Sequence, residues 1–199
     1  MRLKGEKKMN LTFRKLKADE IDCRIGQIKE NGLSLLLYKN ARVDMNLLDE
    51  VVGPMNWKRE HTRDNQNCIV SIYDEDKKEW VGKEDVGSES NTEAEKGLAS
   101  DSFKRACVNW GIGRELYTAP FIWVKAENCK IQKYGDKFKC FDTFKVVKLT
   151  YKKNGDIDGL CIANEKTNQN VFIQMPQEKE PIVDQKKDAK TAIDLHFAK

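Results

Sequence analysis

Histidine occurs only twice and proline four times, and no apolar run approaches the ~20 residues needed to cross a bilayer. The basic start Met1-Arg2-Leu3-Lys4 is followed by no signal-peptide core, so a protein of the reducing cytoplasm without a membrane partner is expected. Cys23, Cys68, Cys107, Cys129, Cys140 and Cys161 include no C-x-x-C pair, and only His61 and His196 could supplement them, which argues against zinc. The Walker pattern G-x-x-x-x-G-K-[ST] is missing, and Gly111-Ile112-Gly113 reads as a helix stop and not as a nucleotide fingerprint. His61 belongs to no recognisable nucleophile motif. No cofactor, metal site or catalytic centre is expected, and no internal repeat is visible.

At 199 residues the chain fits one domain with modest extensions. A hydrophobic fraction of 39% beside a charged fraction of 34% implies a real core under a well-solvated surface. The net charge of +4 suits a polyanionic partner but is too small to demonstrate one. Patterning suggests a basic extension over residues 1–12, a domain over 13–175 and a flexible charged tail over 176–199.

Glu20 to Ile25 alternates apolar with polar and Leu33 to Tyr38 is a compact apolar run, so two strands joined by a turn are expected. Val43, Leu47, Leu48 and Val51 recur at helical spacing before the stop Gly53-Pro54. Trp57 to His61, Cys68 to Tyr73 and Trp80 to Val86 then read as an antiparallel meander. Thr92-Glu93-Ala94-Glu95 is a capping-box pattern opening a second helix. Ala99, Phe103, Ala106, Cys107 and Trp110 fall on one arc of that helix and should pack on the sheet, with Lys104 and Arg105 off the arc. Phe121 to Val124, Phe144 to Tyr151, Gly159 to Ala163 and Val171 to Gln174 supply further strands. The expected class is α+β: a β-β-β-α core with a helix across an antiparallel meander, extra C-terminal strands and a tail.

Lys83-Glu84-Asp85-Val86-Gly87 closes the meander, and Ala99-Ser100-Asp101-Ser102-Phe103-Lys104-Arg105-Ala106 lies in the helix. This ordered set, E-D-V-G, then D-x-x-K-R-A, then an aromatic residue and Gly, resembles the Rad fifty-two/twenty-two family of single-strand annealing proteins, found in eukaryotes and phages. The likeness spans roughly Ile21 to Tyr117, with a weaker match from Tyr38 through Arg42-Val43 and Glu50 to Gly53 and Trp57. It implies a phage-type, non-enzymatic protein of recombination and repair, acting in the cytoplasm of a bacterial host. It further implies a homo-oligomeric ring that anneals single-stranded DNA without ATP, alongside single-strand-binding or other recombination proteins. A groove of Lys and Arg holds phosphates without reading sequence, and base pairing itself drives annealing.

Carried over by position, Lys104 and Arg105 match the family's groove-lining pair, and Arg42 matches a third contact. Val108 stands where the family often has another basic residue, Pro54 replaces an aromatic, and the loop from Gly87 to Thr92 is short. Lys58, Arg59 and Arg63 are therefore candidates for the missing contacts.

The bland alternatives are specific. Without the motif, Lys104 and Arg105 are a solvated helix face, and Arg42 is equally a partner for Asp49 or Glu50. Trp57, Trp80, Trp110 and Trp123 fit core or interface positions better than base stacking. A metal-dependent nuclease would use Asp74, Glu84 or Asp85 with Lys83 or Lys104, but Glu84 and Asp85 should point to opposite faces of their strand. A DNA-free scaffold is the third reading.

Overall fold

A computed structural model describes residues 11–88 and 94–176. The chain opens on a hairpin of β1 (Ile21–Lys29) and β2 (Gly32–Lys39), with Asp22 opposite Tyr38 and Arg24 opposite Leu36. Alternation assigns the faces: Leu33 and Leu35 are buried, whereas Leu36 points the other way and is 48% exposed. Helix α1 (Ala41–Val52) follows, capped by the Asn40 side chain accepting from the Arg42 N–H and closed at Gly53. Its apolar face buries Leu47 and Leu48, as the spacing predicts.

The meander is β3 (Trp57–Thr62), β4 (Asn67–Asp74) and β5 (Glu79–Val86), a separate three-stranded sheet. Helix α2 (Ala94–Asn109) packs across β4 and β5, with Phe103, Ala106 and Cys107 in one core with Cys68, Val70 and Ile72. Thr92 and Glu93 of the capping pattern and the tail beyond Pro176 lie outside the described residues, and α2 begins at Ala94. At the far end of α2, Lys83 donates to the Asn109 carbonyl at 2.9 Å, and Arg114 donates to the Val108 and Asn109 carbonyls. Two cations thus satisfy the orphan carbonyls where the helix dipole favours positive charge.

The expected C-terminal strands complete the first sheet instead of extending the second. With β6 (Ile122–Lys125), β9 (Phe144–Tyr151), β10 (Ile157–Asn164) and β11 (Asn170–Gln174), it has six strands in the order β11-β10-β9-β1-β2-β6. The edge strands β6 and β11 touch, so the sheet curls toward closure. Between β6 and β9 in the chain a small separate hairpin, β7 (Ile131–Tyr134) and β8 (Lys137–Cys140), turns through Gly135 at φ 57°. This hairpin has no counterpart in the sequence reading. Before β1, the Leu16 backbone is held from both sides: its N–H donates to Glu115 Oε1 and its carbonyl accepts from the Tyr151 hydroxyl, each at 2.7 Å.

Candidate nucleic-acid interface

Lys104 and Arg105 line one open cleft of about 430 Å³ between α2, the end of β2 and the segment 113–122. Leu36, Tyr38 and Lys39 contribute the β2 wall, Asp101 and Val108 the rest of the helix wall, and Tyr117 and Pro120 the far rim. The cleft is therefore part apolar and part basic, a composition that accommodates sugar and base surface beside phosphate.

The two basic side chains sit differently. Lys104 is largely covered and lies 3.9 Å from Asp101 of its own helix. Burial pulls its pKa down, Asp101 opposes that, and the positive charges of Arg24 and Lys39 add to the depression. Arg105 is exposed and pairs with Asp85 at 3.3 Å. Both ion pairs are long and partly solvated, so a phosphate can replace the carboxylate at small cost.

The motif residues around them chiefly join strand to helix. Asp85 accepts from Arg105 and from the Asn109 amide on the helix side of β5. Glu84 faces the other way and accepts from the Asn67 amide at 2.6 Å. Gly87 touches α2 itself: a Cβ there would lie 2.6 Å from the Ser102 nitrogen and 2.7 Å from the Leu98 carbonyl oxygen. Asp101 then accepts from the Ser88 N–H at 2.9 Å. The run E-D-V-G followed by D-x-x-K-R-A is thus a clasp that fixes the orientation of Lys104 and Arg105.

The remaining candidates disperse. Arg42 is exposed at the start of α1 and has no acidic partner among the described residues, since Glu50 binds Arg14 and Asp49 accepts from Trp57. Lys58 and Arg59 take opposite faces of β3. Lys58 lies 4.7 Å over the Trp80 ring, and Arg59 lies 4.9 Å over Phe103 on the α2 side. Arg63 occupies the β3–β4 turn at φ 51° and is exposed. None of these three lines the cleft.

The four tryptophans each meet another side chain or the backbone, although Trp80 is 42% exposed. Trp57 stacks on Phe103, and the Trp110 indole N–H donates to the Val70 carbonyl at 2.9 Å. Trp80 meets Tyr73 edge-on, while Trp123 stacks under the exposed Phe121. The sequence reading missed Arg24 and Tyr38, which meet across β1 and β2 with the guanidinium 4.9 Å over the ring. It also missed Lys39, buried against Asp44 beneath the cleft.

The model of the Rad52/22 family double-strand break repair proteins matches residues 7–135, which include both halves of the clasp and the whole β-β-β-α core. The chain belongs to the Rad52/22 family. Membership assigns it to DNA repair and recombination, with single-strand annealing as the family-level activity. No curated protein and no solved structure matches it significantly. Among the described residues no helix is long and apolar enough to cross a membrane. The hairpin β7–β8 lies at the end of the matched region, and β9, β10 and β11 follow beyond it.

Proposed function

We propose that this Rad52/22-family chain binds single-stranded DNA along the α2–β2 cleft and anneals complementary strands without ATP, as a ring of identical subunits. The observation that carries the reading is the pair Lys104 and Arg105, adjacent on α2, clasped in place by β5 and opening into one cleft. Arg42, Lys58, Arg59 and Arg63 serve as auxiliary phosphate contacts outside that cleft. The domain spans residues 13–175. Phosphate neutralisation without base readout leaves bases free to pair, and pairing supplies the driving force.

Ring assembly is supported by large exposed apolar side chains that a neighbouring subunit would cover, Phe121 at 77% and Met175 at 73%. Head-to-tail contact between two unlike surface patches is the geometry that closes rings. The nuclease reading fits less well. Asp74 is engaged in its own turn through Asp76 and Lys77, and Glu84 and Asp85 lie on opposite faces, so these acids do not converge.

The test is annealing of complementary oligonucleotides with neither nucleotide nor magnesium, beside size measurement by light scattering. Faster annealing by an oligomer, lost in the Lys104→Ala/Arg105→Ala variant, is expected. Unchanged affinity and salt dependence in that variant would refute the cleft. Magnesium-dependent cleavage lost in Asp85→Ala would establish the nuclease instead.

A further inference from the structure

Two cysteines meet at the foot of the β7–β8 hairpin. Ile131 pairs with Cys140, and Cys129, two residues earlier in extended backbone, returns to the same face. Cys129, Ile131 and Cys140 all pack on the core, so that face is the inner one. The Lys130 N–H donates to Asp142 Oδ2 at 2.8 Å, which ties the two segments together just outside the strands. Asp142 is held in turn by the Asn164 amide and by Lys166. Within this frame the Cys129 thiol donates to the Lys125 carbonyl at 3.4 Å and has the Cys140 thiol as its neighbour across the hairpin. Side chains that approach each other from facing segments are what disulfide geometry requires. Burial first, and Cys140 next, push the Cys129 thiol up to about 11, so the resting pair is held as thiols.

The other cysteines are placed differently. Cys68 and Cys107 are 0% exposed in the core under α2, and Cys23 and Cys161 lie on strands separated by β9. Cys129 and Cys140 are half-buried, and Cys129 borders an open concavity of about 470 Å³ beside Glu30 and Phe138, wide enough for a small oxidant.

We propose that Cys129 and Cys140 form a reversible redox site, at which a hydroperoxide converts the neighbouring thiols into a disulfide that closes the foot of the hairpin. The inference is independent of DNA binding. One sulfur, as thiolate, attacks a peroxide oxygen; the O–O bond breaks, hydroxide leaves and is protonated to water, and a sulfenic acid remains. The second sulfur attacks the first, the S–O bond breaks and another water departs. Two thiols and one hydrogen peroxide thus give one disulfide and two waters, with two electrons passing from sulfur to peroxide. Selectivity comes from proximity, because the second thiol is already in place when the first is oxidised.

Peptide mapping of the full chain tests this. The protein is treated with hydrogen peroxide, remaining thiols are blocked with N-ethylmaleimide, and tryptic peptides are weighed without reduction. Cleavage after Lys125, Lys130, Lys139 and Lys145 puts the two cysteines on separate peptides, 126–130 and 140–145. From the monomer band of a non-reducing gel they should be recovered joined, lighter than their sum by two hydrogens, and dithiothreitol should separate them. Cys140→Ser should yield no such species. Hydrogen exchange at the β7 and β8 amides should slow roughly tenfold in the oxidised form. Peptides that stay separate, or Cys129 joined instead to Cys23, Cys161 or a second chain, would overturn the inference. Linkage with exchange unchanged would discard the closing of the hairpin. Should peroxide abolish the native circular dichroism, the same map after diamide, a milder two-electron thiol oxidant, decides.

Discussion

The Lys39 ammonium is buried against the Asp44 carboxylate, with the two side chains 4% and 0% exposed, where β2 passes into α1 beneath the candidate cleft. Lys39 also donates to the Lys104 carbonyl at 3.3 Å, so one cation joins β2, α1 and α2. The second oxygen of Asp44 is buried without a hydrogen-bond partner. Breaking such a pair from one side leaves an uncompensated buried charge. Asp44→Ala should therefore cost roughly 3–5 kcal/mol, whereas Lys39→Met with Asp44→Leu should cost clearly less. Urea unfolding of both variants checks this, and a double variant as unstable as the single one would overturn it.

The same carboxyl gives the fold a pH dependence of unusual sign. Burial pushes Asp44 up from 3.8 to about 6, against the opposing pull of Lys39 and Lys104. A folded-state pKa raised above the unfolded value means that the native state holds the proton more tightly. The Asp44 contribution is complete below about pH 4 and is lost as pH rises through about 6, a change of at most about 3 kcal/mol. Subtracting the urea stability of Asp44→Asn from that of wild type between pH 4 and pH 7 isolates this component. A difference that grows with pH would contradict it.

Arg105 and Asp85 form an exposed pair on the cleft rim, 3.3 Å apart. Such a pair adds little to stability, while its carboxylate repels phosphate. Asp85→Asn retains a polar partner for the Asn109 amide and should tighten single-stranded DNA binding about two- to fivefold at low salt, with little change in melting temperature. Weaker binding at unchanged stability would show that Asp85 orients Arg105 and does not restrain it.

Much of this architecture is legible from residue order. The hairpin, the meander and both helices follow from hydrophobic period and from stops such as Gly53, because each buries one regular face. The later strands are also visible as segments. Their joining to β1 through Asp22 and Lys145 is not, because long-range pairing leaves no local pattern. The hairpin β7–β8 is hidden by its lysines and by strands of only four residues. Within the site, Lys104 and Arg105 carried a motif, whereas Arg24 becomes relevant only through the register that sets it beside Tyr38. Asp44 did leave a sign: it falls one turn before Leu47 and Leu48 on the buried face of α1, where an acid demands a partner.

Two glycines around α2 separate close contact from backbone strain. At Gly87 a Cβ would press on backbone atoms of Ser102 and Leu98, at 2.6 and 2.7 Å, so the strand and the helix must move apart. At Gly111 nothing lies within 4 Å of a Cβ, but φ is 102°. The substitution series should therefore rank in opposite orders. Gly111→Asn should be milder than Gly111→Ala, because asparagine tolerates positive φ, with alanine there costing about 1–3 kcal/mol. Gly87→Ala should cost roughly 2 kcal/mol or more, and Gly87→Asn still more, since added bulk worsens the overlap. Melting temperatures of the four variants give the ranking, and Gly87→Asn more stable than Gly87→Ala would show that β5 and α2 do not meet this closely.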